Sequence, residues 1–96
     1  MTDSERLAYI EKMADNLPTL RTRLSLTQEE LGARIGVSRG TVIMLENKQR
    51  RMTWNTFLSL ILVFSQNKDT NTLLSALDIY TDELKKNLGG ADNGDY

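Results

Sequence analysis

The chain has no cysteine and no histidine. No disulfide framework can form, and the usual Cys/His zinc sites are excluded. The commonest general base and the strongest common nucleophile are missing as well. No carboxylates pair at a spacing that suggests catalysis, so an enzyme is not expected, nor is a metal or cofactor. Strand signals are also missing: no alternating run is bounded by hairpin turns. The longest apolar run, Leu60 to Phe64, has five residues, whereas a membrane span needs about 20. The start, Met1-Thr2-Asp3-Ser4-Glu5, is acidic, unlike a secretory leader. A reducing cytoplasmic location is the expectation, with no membrane partner.

What remains is a 96-residue chain, 40% apolar, with a net charge of −1. One domain with one modest core fits that length. The distribution of charge is more informative than its sum. Residues 16–53 carry seven basic and three acidic groups, a net +4, while residues 1–15 sum to −2 and residues 54–96 to −3. A positive middle between acidic flanks suits a single anion-binding face.

The apolar spacing is helical throughout. Leu7, Ile10, Ala14 and Leu17 form one stripe over residues 4–16. Pro18 is expected to break that helix and restart a short one over 18–24, because proline fits a first turn better than an interior. Thr27-Gln28-Glu29-Glu30 is a capping box and opens a helix to about Ile35. Gly36-Val37-Ser38 ends it, the glycine suiting positive φ and Ser38 capping the next helix, over 39–47. A basic loop follows over 48–53. Thr53 then caps a fourth helix, over 54–65, apolar nearly all round and so buried on more than one side. Asp69 or Thr70 is expected to cap a last long helix over 71–88. Residues 89–96 lack any apolar pattern and read as a disordered tail.

Two short helices around a glycine-containing turn are a helix-turn-helix plan. Arg21, Leu26-Thr27-Gln28-Glu29-Glu30-Leu31, Ile35-Gly36-Val37-Ser38-Arg39, Val42 and Leu45-Glu46-Asn47 together resemble the Cro/phage-repressor (Xre-type) helix-turn-helix over residues 20–64. The resemblance implies an all-α, lambda-repressor-like bundle, here with an extra N-terminal helix and a C-terminal helix. The divisions expected are an N-terminal helical extension over 1–17, a DNA-binding domain over 18–66, a C-terminal dimerisation helix over 67–88 and the tail.

The same resemblance implies a site. Gln28, Ser38, Asn47, Arg50 and Arg51 fall where the family meets backbone phosphates, and a helix start with free amides suits the Gln28 assignment physically. Arg39, Gly40 and Met44 fall at its base-reading positions. Arg21 and Glu46 match a charged pair bracing the first helix against the recognition helix. Lys48 stands where the family has glycine, and Asn47 can take the left-handed turn in its place. At about 100° per residue, Val42 and Leu45 face the core, and Gly40, Ile43, Met44 and Asn47 share the other face, expected to be exposed. That face offers few side-chain hydrogen bonds. Direct readout would rest on Arg39, Thr41 and apolar contact with thymine methyl groups.

The implied activity is that of a sequence-specific transcriptional repressor of phage or mobile-element type acting on double-stranded DNA. The rival is a protein-interaction module, antitoxin- or antirepressor-like, whose apolar recognition face binds a protein partner. Leu73, Leu77, Tyr80 and Leu84 step by 4, 3 and 4 along the last helix, a coiled-coil-like seam that would make a homodimer.

Overall fold

The computed structural model describes residues 1–89, so the expectation of a disordered tail lies, apart from Gly89, outside the described residues. Six helices and no strands occur among them: α1 (Asp3–Arg23), α2 (Gln28–Ile35), α3 (Arg39–Glu46), α4 (Trp54–Ser65), α5 (Lys68–Ala76) and α6 (Asp82–Asn87). The fold is an all-α bundle around a helix-turn-helix, as the apolar spacing indicates.

Every helix opens on a Thr, Ser or Asn cap whose side chain accepts a first-turn amide: Thr2, Thr27, Ser38, Thr53, Asn67 and Thr81. Each such cap contributes about 1 kcal/mol, which matters most in helices as short as α2 and α3. These two are too short to stand alone. They hold because Leu31, Val42 and Leu45 enter a core shared with Leu17 and Leu20 of α1 and Phe57, Leu60 and Ile61 of α4. The most apolar helix, α4, packs against α1, α2 and α5.

Three expectations need correction. First, Pro18 does not divide α1, which runs unbroken through it. Proline has no N–H to give the Ala14 carbonyl. The lost bond is outweighed by the stripe on either side: Met13, Leu17 and Leu20 are all fully buried. Residues 1–17 are therefore the front of α1 and not a separate extension. The helix also starts earlier, at a Thr2/Glu5 capping box.

Second, the C-terminal segment is two helices. The α5 helix begins at the Asn67 cap. Asp69 and Thr70 both lie inside it, and Thr70 is fully buried with its hydroxyl donating to the Phe64 carbonyl at 2.6 Å. After Leu77 the chain turns through Asp78 at φ +58°, a conformation aspartate adopts more readily than most residues. The Ile79 and Tyr80 amides both close on the Leu74 carbonyl. Thr81 then caps α6, and its hydroxyl meets the Tyr9 hydroxyl at 2.7 Å, fastening α6 to the front of α1.

Third, the expected dimer seam is not one helical stripe. Leu73 lies in α5, Leu77 and Tyr80 in the turn and Leu84 in α6. Leu84 is fully buried within the protomer, while Leu73, Leu77 and Tyr80 are half-buried. A 4–3–4 spacing is equally satisfied by two short helices folded onto one core.

Candidate nucleic-acid interface

The α2–turn–α3 unit is set by one glycine that bends and one that fits. Gly36 ends α2 at φ +79°, in the left-handed region. Gly32, in the middle of α2, is buried, and a Cβ there would lie 2.6 Å from the Val37 carbonyl oxygen and 3.3 Å from that of Ser38. The backbone of the turn thus rests directly on α2. The role of Gly32 escapes the sequence reading, although a glycine inside so short a helix, costing about 1 kcal/mol relative to alanine, is a signal that something presses against it.

Arg21 and Glu46 meet across the domain. Arg21 Nε donates to Glu46 Oε2 at 2.7 Å and Nη2 to Oε1 at 3.3 Å, the two side chains being 15% and 5% exposed. Arg21 Nη1 also donates to the Leu26 carbonyl at 2.9 Å. Glu46 Oε1 accepts a third bond, from Gln28 Nε2, at 3.0 Å. The end of α3 is thereby tied to both α1 and the first turn of α2. The Gln28 bond is not foreseen from sequence. It leaves the second N–H of that amide uncommitted.

A shallow cleft lies where α2 and α3 begin, lined by Arg21, Thr27, Gln28, Glu29 and Arg39. At its edge Thr27 and Glu30 exchange cap bonds, 2.9 and 3.0 Å. The Thr27 amide, and after it the Thr27 hydroxyl, hold the Glu30 carboxyl below the usual glutamate range. The amides of Gln28 and Glu29 have no partner among the described residues. Free first-turn amides and the positive end of the helix dipole favour an anion there, and Arg39, exposed and without an ion pair among the described residues, reinforces them.

Along α3, Arg39, Gly40 and Asn47 are exposed. Ser38 is exposed, but its hydroxyl is engaged: it accepts from the Thr41 amide at 3.1 Å and contacts the Thr41 hydroxyl at 3.0 Å. Thr41, Ile43 and Met44 are half-buried, not open. On so short a helix each neighbour of the buried Val42 and Leu45 is only about 100° away and sits on the edge of the apolar stripe. After α3 the left-handed turn falls on Lys48 itself, at φ +59°, while Asn47 stays at φ −87°. Lys48 forms an ion pair with Asp15 of α1. Arg50 and Arg51 follow, both exposed and neither bonded to any described residue.

A helix-turn-helix family model matches residues 19–53. These residues are a DNA-binding helix-turn-helix of the Cro/phage-repressor type. No curated protein and no solved structure matches the chain. The match covers Arg21, Gln28, Glu46 and every position from Ser38 to Arg51, and leaves out the front of α1 and everything from α4 onward. The coarse role is that of a DNA-binding regulator. No helix among the described residues is long and apolar enough to cross a membrane, and they hold no cluster of metal-ligating side chains.

Proposed function

We propose that the protein is a sequence-specific transcriptional repressor of phage or mobile-element type that acts by occupying a promoter. The observation that carries this reading is the cleft at the start of α2 and α3, where two free amides, the Gln28 side-chain amide and the Arg39 guanidinium converge. In this reading Gln28, Ser38, Asn47, Arg50 and Arg51 meet backbone phosphates. Arg39, Gly40, Thr41 and Met44 face base edges in the major groove, with α3 as the recognition helix. Met44 and Ile43, half-buried, offer an apolar rim suited to thymine methyl groups, so the preferred site is T-rich.

Two copies bind together in this reading, because one module of this size holds DNA weakly and a pair of half-sites raises affinity through effective concentration. Apolar groups open to a second copy include Leu62, 63% exposed on α4, Leu88 after α6, and the half-buried Leu73, Leu77 and Tyr80. Leu84 is not among them.

Selection of bound duplexes from a random pool tests specificity and yields the operator. The affinity for a selected duplex is then measured against salt. Each neutralised phosphate contributes a log–log slope of about −0.9, and Arg51→Ala should weaken all sequences alike and flatten the slope by about 1. A chain that selects no duplex, and whose affinity ignores salt, is instead the protein-binding module. Sedimentation checks the pairing: Leu77→Asp should leave a folded monomer with weaker operator binding, and a wild-type chain monomeric both free and on DNA would remove the dimer.

A further inference from the structure

A second concavity, of about 530 Å³, lies between the front of α1 and the loop joining α3 to α4. All of its α1 wall precedes the part of the chain that matches the helix-turn-helix family. Its floor is apolar: Leu7, Ile10 and Ala14 from α1 and Met52 from the loop. Ile10 and Met52 are buried, and Leu7 and Ala14 half-buried, so the floor is packed from behind and open in front. Pockets for small organic ligands have this size and this mixture of apolar lining with a few polar groups.

The rim decides the charge of the occupant. Asp15 and Lys48 sit on it and pair with each other. That leaves Glu11 against Arg50 and Arg51, none of the three bonded to any described residue. Two uncommitted guanidiniums against one carboxylate favour an anion, and a guanidinium fork fits a carboxylate or phosphate with two parallel bonds. The apolar floor favours a carbon body in place of a peptide strand, which would lay unpaired N–H and C=O groups over Leu7 and Ile10.

We propose that this groove binds a small amphiphilic anion, its apolar body over Leu7, Ile10, Ala14 and Met52 and its carboxylate or phosphate head on Arg50 and Arg51. Because these arginines are also assigned to DNA phosphates, an assignment that rests on the function proposed above, ligand and operator compete. The anion then acts as an inducer on a chain whose described residues form no separate ligand domain.

The test is a titration of the full chain, followed through its backbone amide shifts, with decanoate as probe at submillimolar concentration. Octanol serves as body without charge and inorganic phosphate as head without body. Decanoate should move the amides of Leu7, Ile10, Ala14 and Met52 and bind about ten-fold more tightly than either control. Ala14→Phe fills the groove and should abolish these shifts. Glu11→Gln, which removes the one spare negative charge on an exposed site, should tighten binding about three-fold and serves if the larger substitution misfolds. Shifts centred on Leu62 or Leu88, decanoate no tighter than octanol, or weaker binding by Glu11→Gln would each overturn the site. Competition is read separately, from a labelled duplex in the presence of decanoate. A groove that fills without displacing DNA keeps the site and overturns the shared use of Arg50 and Arg51.

Discussion

The two ends of the recognition helix's surroundings are held in opposite ways. On the α2 side, α3 is fixed by contacts withdrawn from water: the Arg21–Glu46–Gln28 network and the seat of the turn on Gly32. On the loop side, the tie to α1 is Asp15–Lys48, whose side chains are 53% and 59% exposed, and the arginines beyond it form no hydrogen bond or ion pair with any described residue. Both regions join α1 to the DNA-binding unit, and both use one acid and one base. Burial decides which of them sets geometry. An exposed pair is screened and contributes about 0–1 kcal/mol, whereas breaking a buried one leaves a charge without solvent or partner. In the function proposed above, this holds the unit firmly where α3 must be aimed and lightly where Arg50 and Arg51 would reach a phosphate backbone.

The largest expected effect comes from unpairing the buried side. Glu46→Ala leaves Arg21 with the Leu26 carbonyl alone and should cost about 3–5 kcal/mol. Urea melts followed by Trp54, the only tryptophan, which stacks on Phe57 at 4.7 Å, give the value directly. Replacing both partners, Arg21→Met with Glu46→Leu, should recover more than half of that loss, since no charge is then stranded. A Glu46→Ala chain within about 0.5 kcal/mol of wild type would mean that the two pairs do not differ and would dissolve the contrast.

Glycines sharpen the same contrast at a smaller scale. Gly32→Ala places a methyl 2.6 Å from a backbone carbonyl, and the turn must move away. The overpacking, about 1–3 kcal/mol, should exceed the gain of about 1 kcal/mol in helix propensity, so the variant is less stable and reads DNA less well. Gly40→Ala meets nothing closer than the Ser38 hydroxyl at 3.8 Å. It should stabilise the chain by about 0.4–1 kcal/mol. Thermal melts of the two variants should therefore move in opposite directions, and a Gly32→Ala chain as stable as wild type or more so would show that the turn is not seated on α2.

Sequence patterns reveal most where a residue has one physical job. The Thr27 box, Gly36 and the Val42/Leu45 stripe each combine a local signal with a local outcome, and α2, the turn and α3 follow from them. Two features escape because local signals compete with burial. Pro18 is a breaker by chemistry, but the fully buried Met13, Leu17 and Leu20 around it outweigh one lost bond. The 4–3–4 step of Leu73, Leu77, Tyr80 and Leu84 is blind to the turn at Asp78. The start of α6 was nevertheless written in Thr81-Asp82-Glu83, a cap followed by two acids. Of the proposed interface, the sequence names positions but not the bonds their side chains make: that Glu46 engages Gln28 and Ser38 engages Thr41 depends on distances that no spacing encodes. The half-burial of Ile43 and Met44 has the same origin, since a helical wheel divides a circle in two and a short helix in a bundle has edges.

The smallest effects belong to the exposed side, and there two substitutions separate charge from backbone. Asp15→Asn keeps the shape and removes the attraction, so it should cost under about 1 kcal/mol and lose even that at high salt, where exposed pairs are screened. Lys48→Gly removes the same attraction and also the left-handed strain of a residue with a Cβ, at φ +59°. That strain is about 1–2 kcal/mol, offset in part by the extra freedom glycine gives the unfolded chain. Lys48→Gly should therefore come out equal to or more stable than Asp15→Asn in the same melt, and the gap between the two should stay the same with added salt, because both lose the same pair and only the backbone gain separates them, while each moves up relative to a wild type whose pair is screened. Lys48→Gly markedly less stable than Asp15→Asn, at both low and high salt, would mean that the lysine stem packs on α1 and that the loop side is held by burial after all.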